Sequence, residues 1–156
     1  MKQPDALNDV KKFHQTFGHP VEQKPTIPAK KRCELRVALI QEELNELKEA
    51  IENNDIVEVA DALCDIQYVL SGTILEFGLG EKFNELFANV QASNMSKACD
   101  TEEVAKATVE HYKKHKNTEC YYEQKDGLYL VYRSSDNKTI KSINYTPADL
   151  EHILKK

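Results

Sequence analysis

The chain has 156 residues, 30% of them charged, and a net charge of −5; that length suffices for one domain with a real core, or one domain plus a small appendage. The mildly acidic balance argues against duplex DNA, other nucleic acid polymers or a membrane surface as partner, and no apolar run is long enough to span a bilayer. The start Met1-Lys2-Gln3-Pro4-Asp5 is polar and lacks a signal peptide's apolar stretch, so a cytoplasmic protein is expected.

Pro4 to Phe17 reads as a helix, with Leu7, Val10, Phe13 and Phe17 as its apolar stripe and Gly18 as its stop. A loop carrying Pro20, Pro25 and Pro28 follows. Phe13, His14, Phe17 and His19 bring aromatic and imidazole groups together there. Two readings stand: Phe17 and His14 flank a base, or the cluster only anchors the first helix.

Pro28 to Asn53 is the first of two acidic helices. At about 100° per residue, Val37, Ile40, Leu44, Leu47 and Ile51 form an apolar stripe. Leu39, Glu43 and Glu46 form a second stripe beside it. Lys30, Lys31 and Arg32 crowd the first turn, where cations oppose the helix dipole, and Arg36 follows. Contact with a phosphate tail, for which Arg36 is best placed, stands against simple surface charge.

Asn54-Asp55 can cap the next helix, with Glu58 completing a capping box. That helix runs to about Phe77 and ends near Gly78 and Gly80. Val59, Ala62, Leu63, Ile66, Val69, Leu70 and Thr73 make its apolar stripe. Glu58, Asp61, Asp65, Tyr68 and Gly72 run alongside. Cys64 reads as a small core residue. Together with Cys33, Cys99 and Cys120 it shows no C-x-x-C spacing, so reduced thiols are expected.

A fourth helix, Glu81 to Ala92, carries Phe83, Phe87 and Val90, and Asn94-Met95-Ser96-Lys97 follows it. Asp100-x-x-Glu103 is a capping box opening a fifth helix to about His115, with Val104, Ala105, Thr108 and Tyr112 facing inward. From Glu119 the texture changes to strand formers, with Asp126-Gly127 as a hairpin turn. Thr139 to Tyr145 reads as a further strand. Thr146 then caps a short helix, Pro147 to Leu154. The expected architecture is mainly α. An antiparallel helical bundle spans 1–116, and a small β-hairpin or meander with a short helix spans 117–156.

The two acidic runs, Glu42-Glu43-Leu44-Asn45-Glu46 and Glu58-Val59-Ala60-Asp61, carry the chemistry. The short connection between their helices predicts an antiparallel hairpin. Counting back at about 1.5 Å per residue sets Glu46 level with Glu58, and Glu43 level with Asp61. The i,i+3 spacing keeps each pair on one face. Carboxylates so gathered repel unless a cation sits among them. Oxygen donors without thiolate or imidazole suit Mg²⁺, with Mn²⁺ as the alternative, and argue against zinc. The bland alternative is a solvated, Glu-rich face.

Glu42-Glu43-x-x-Glu46 followed by Glu58-x-x-Asp61 resembles the all-α nucleoside triphosphate pyrophosphohydrolases, the group containing MazG, dimeric-type dUTPases and phosphoribosyl-ATP pyrophosphohydrolase. The flanks Leu39-Ile40 and Ala62-Leu63-x-Asp65-x-x-Tyr68 agree, and the resemblance covers about residues 5–115. It implies Mg²⁺-dependent conversion of a nucleoside triphosphate to monophosphate and pyrophosphate. It implies that Glu43, Glu46, Glu58 and Asp61 bind metal, and that Glu42 is an extra ligand or the water-activating base. Glu42, Glu43 and Glu46 are thus the catalytic candidates. Asn94-Met95-Ser96-Lys97 resembles a segment of a dUTP-hydrolysing branch, which points Lys97 and Asn94 toward phosphate or sugar. Asp65, Tyr68, Arg36, Phe17 and His14 complete the substrate-binding candidates. The resemblance further implies a homodimer or homotetramer, and the wide apolar arc from Ala62 to Ile74 agrees. Phosphoribosyl-ATP hydrolysis is the nearest rival. A non-catalytic helical module, regulatory or nucleotide-binding, is the rival of another class.

Overall fold

The structure is a computed structural model that describes residues 2–156. Among the described residues the chain folds into six α-helices, one short 3₁₀ turn and one two-stranded antiparallel sheet, the mainly helical class expected. Residues 1–83 and 84–156 form two compact units. This division by packing differs from the compositional boundary at 116/117.

The first unit holds α1 (Ala6–Phe17), α2 (Lys30–Glu52) and α3 (Ile56–Glu76). The last of these packs against both others. Gly18 ends α1 in the left-handed region at φ 71°, the conformation glycine adopts without a Cβ penalty. Asp55 caps α3 by accepting from the Val57 and Glu58 N–H groups. Its own N–H, which a capping box would hand to Glu58, donates to the Ala50 carbonyl at 3.0 Å. The hairpin turn is therefore closed by backbone, and Glu58 is not consumed by the cap.

The segment between α1 and α2 straps the end of α3. Glu22 N–H donates to the Leu75 carbonyl and Thr26 N–H to the Phe77 carbonyl, each at 3.0 Å. Gly78 permits this approach. Its φ is +68°, and a Cβ there would lie 1.9 Å from the Lys24 carbonyl oxygen.

The apolar stripe of α2 is only partly covered, with Ile40 and Leu47 half-buried. Val37 is 69% exposed, Leu44 50% and Ile51 61%, whereas Arg36 and Ala50 are the buried residues of α2. The half-buried Ile40, Glu43 and Leu47 share one side of the helix with Arg36 and Ala50. Cys64, expected in the core, is exposed. It lines a cleft between α1 and α3.

The second unit contains most of α4 (Phe83–Met95), then α5 (Glu102–Lys116), β1 (Cys120–Lys125), β2 (Leu128–Arg133) and α6 (Leu150–Lys155). Cys99, Ala105, Val131 and Ile140 form its core, ringed by Val104, Val109, Tyr112 and Tyr122. Asp126 and Gly127 turn the hairpin with φ of 51° and 81°, both positive as a two-residue type I′ turn requires.

Three sequence expectations shift here. Thr101, not Asp100, caps α5, its side chain accepting from Val104 N–H. The expected third strand reduces to a single bridge, Tyr132 with Thr139. Beyond it the chain turns to α5, where Ile143 N–H donates to Thr108 Oγ1. The last helix opens at Asp149, not Thr146. Asp149 caps it by accepting from His152 N–H, while its own N–H is held by Asn89 of α4. Thr146 N–H is bound to Ser96 Oγ, which fixes that stretch as a strap along α4.

Candidate active site

Acidic residues of both helices lie near enough to Glu43 to act on it. Partial burial, and then the neighbouring carboxylates of Asp65, Glu46, Glu42 and Asp61, push the Glu43 carboxyl above the usual range. Two of the four, Asp61 and Asp65, belong to α3, so Glu43 feels charge from both helices. Nearer the turn, Glu46 and Glu58 line one groove of about 360 Å³, with Glu49, Asn53 and Asp55 on its walls. The α2 carboxylates that pair with lysine, Glu34 and Glu52, lie outside this cluster. Among the described residues, no group of three His, Cys, Asp or Glu side chains is gathered closely enough to hold an ion. Mutual repulsion opposes such gathering in the protein alone. The donor set itself, carboxylate oxygens from two rigid helices, is the chemistry that hard divalent cations take.

Arg36 and His14 lie elsewhere, and neither is free to meet a substrate. Arg36 is buried and donates to the Glu76 carboxylate, as Arg32 does. Arg32 also gives its Nε–H to Glu76 Oε2 at 3.1 Å. Burial alone would raise the Glu76 carboxyl; the Arg36 and Arg32 guanidiniums outweigh it and hold it below the usual range. His14, 2% exposed, joins through Arg36. Arg32 and Arg36 therefore serve an internal ion network, while Lys30 and Lys31 are exposed to solvent. Glu76, 1% exposed, went unremarked in the sequence, although it is a lone charge closing an apolar run, one turn after Gly72.

Phe17 is exposed and packs on Phe13 at 4.5 Å between ring centroids. Phe13 meets Tyr68 edge-on at 5.5 Å. Tyr68 follows Asp61 and Asp65 along the same face of α3 and borders an apolar cleft of about 420 Å³ between α1 and α3. Val10, Leu63 and Cys64 line that cleft, with Asp9 and Gln67 as its polar groups. Asn94 and Lys97 belong to the second unit, where Lys97 Nζ donates to Asn94 Oδ1 at 2.8 Å.

Residues 10–94 match the family described as phosphoribosyl-ATP pyrophosphohydrolase. The match takes in more than half of the chain and both charged clusters. The protein belongs to this family, within the MazG-like nucleoside triphosphate pyrophosphohydrolase superfamily. It is also 38% identical over 74 residues to an uncharacterized protein of Acanthamoeba polyphaga mimivirus. That alignment covers 45% of this chain and 30% of the viral one, so the chain spans under a third of that relative.

Proposed function

We propose that the acidic face of the α2–α3 hairpin is the site of a Mg²⁺- or Mn²⁺-dependent pyrophosphohydrolase acting on a nucleotide that carries a phosphoanhydride chain. Water attacks phosphorus, the anhydride bond breaks, and pyrophosphate leaves with the nucleoside monophosphate as the other product. The observation that carries this reading is the crowding of Glu43 by carboxylates of both helices, inside the span of the family match. Glu43, Glu46, Glu58 and Asp61 would hold the cation. When bound, it would neutralise phosphate charge and acidify the attacking water. Glu42, or another carboxylate left uncoordinated, takes the proton. Tyr68, beyond Asp65 on the same face, packs on the nucleotide, and Lys97 and Asn94 bind phosphate or sugar.

Two substrates compete. A deoxyuridine triphosphate or similar pyrimidine is favoured by the likeness of Asn94-Met95-Ser96-Lys97 to a dUTP-hydrolysing branch. Phosphoribosyl-ATP is favoured by the description of the matched family. A panel of both, with the other deoxynucleoside triphosphates, scored for pyrophosphate release at matched Mg²⁺ decides between them. Release from none of them would overturn the enzymatic reading and favour a nucleotide-binding or regulatory module.

The working form is proposed to be a homodimer or homotetramer. Val37, Ile40, Leu44, Leu47 and Ile51 keep alternating three- and four-residue spacing, that of a helix–helix seam, and most of that seam is exposed in the single chain. Sedimentation at micromolar concentration tests this, and a monomer there would refute it.

A further inference from the structure

The first unit contains a buried imidazole that the proposed chemistry does not use. His14 Nδ1 lies 2.8 Å from the Pro20 carbonyl oxygen. A carbonyl only accepts, so Nδ1 carries the hydrogen. His14 Nε2 lies 3.2 Å from an Arg36 guanidinium nitrogen. Arginine only donates, so Nε2 is bare. Both partners thus select one neutral tautomer. We propose that His14 is a proton-sensitive latch, which fastens α1 and the Gly18–Pro28 strap to the α2–α3 pair while neutral and releases them when it gains a proton.

The surroundings leave a second proton no acceptor. Helix α2 presents Arg36, whose Nε is already buried without a hydrogen-bond partner, so donors exceed acceptors before any protonation. Helix α3 presents Glu76, but Arg32 and Arg36 both occupy its carboxylate. The strap presents His19, with ring centroids 5.3 Å apart, another potential cation. Gly72 leaves no slack either. A Cβ there would lie 2.9 Å from His14 Nε2 and 2.8 Å from Arg36 Nη1. Burial comes first among the forces on the ring. It and the charges of Arg36 and His19 outweigh the pull of Pro20 and Glu76, and the imidazole is held below its ordinary value of 6.5.

Protonation would turn an N–H···N bond into two donors and two like charges in contact. The response is for the ring to leave, and His14 lies mid-helix between Val10 and the Gly18 stop. Its departure loosens the α1 wall of the apolar cleft, Asp9 and Val10, and unseats the strap at Pro20. The sign follows. A base whose folded value is depressed contributes its full stability above the unfolded value, near 6.5, and loses it as pH falls below that. This inference holds whether or not the acidic groove hydrolyses a nucleotide.

The test is hydrogen exchange of backbone amides in residues 6–28, corrected for intrinsic rates, on the full chain from about pH 7.5 to about pH 5. The expected result is exchange rising at least about fivefold over that range. In His14→Gln, whose amide supplies a donor and an acceptor but does not titrate, the rise is absent. His19→Gln keeps the rise. A flat wild-type profile, or a full rise in His14→Gln, overturns the proposal. If His14→Gln does not fold, the wild-type ring resonances decide: His14 titrating in step with the exchange supports the latch, and His14 titrating at or above 6.5 overturns it.

Discussion

The α2–α3 pair carries charge at both ends, and the two ends are built on opposite terms. Toward the turn, Glu43 is crowded by Glu42, Glu46, Asp61 and Asp65, and the ion pairs of α2 lie outside the cluster. Toward the other end, Glu76 is buried between Arg32 and Arg36, with His14 completing the set. The paired end finds its counter-charges within the chain and holds three segments together. The acidic end gathers like charges, which repel, and the cation proposed for it would come from outside. A fold can carry such a cluster when the same two helices are fastened elsewhere.

The sharpest break in that contrast is Glu76→Ala. It leaves Arg36 buried with its charge uncompensated and should cost about 3–5 kcal/mol of unfolding free energy. Chemical denaturation near neutral pH measures it, and a loss below about 1 kcal/mol would mean the paired end is no fastener. The mirror experiment is Asp61→Ala at the acidic end. Turnover should fall about 100- to 1,000-fold, as when one preorganised electrostatic partner is removed from an active site, while the denaturation midpoint does not fall. Equal damage to stability would make the acidic end structural.

Gly72→Ala comes next. Its Cβ would press on Arg36 and His14, and overpacking of this kind costs about 1–3 kcal/mol. The charges concerned belong to a network that pins them, so they cannot swing aside as surface side chains do. Thermal unfolding reads the loss, and a neutral outcome would show that the network yields.

What the sequence revealed of the two ends differs for the same reason. The acidic end is local: i,i+3 pairs on consecutive helices joined by a short turn, which periodicity and rise per residue bring level. The paired end is assembled from residues 14, 32, 36 and 76, far apart in the chain, and no periodicity links them. The misplacement of Arg32 and Arg36 against the helix dipole was visible; the partner that explains it was not. The helices of the first unit were legible through stripes and stops such as Gly18, but which stripe faced inward was not. An apolar stripe reads alike whether a neighbouring helix or another copy covers it. In the second unit the hairpin was legible from Asp126-Gly127. The single bridge at Thr139 and the cap at Asp149 were not, because Thr108, Ser96 and Asn89 claim backbone groups of that segment from a distance.

The smallest expected effect discriminates most finely between a cation site and a solvated acidic face. Glu43→Gln keeps the shape and removes the charge most crowded by its neighbours. Its carboxyl is pushed above the usual range by partial burial and then by those carboxylates, so the charged form is disfavoured in the fold. The cost appears as pH rises through the ordinary value of 4.5 and persists at neutral pH. Without divalent cation the variant should therefore be more stable than the wild type by about 0.3–0.5 kcal/mol, the scale of like-charge neighbours on helices. Millimolar Mg²⁺ should reverse the order, because a ligand bound by the native state alone stabilises it by mass action and the variant lacks one of its donors. Paired denaturation curves with Mg²⁺ and with chelator read both differences. On a merely solvated face Mg²⁺ screens both proteins alike, and the order would not change.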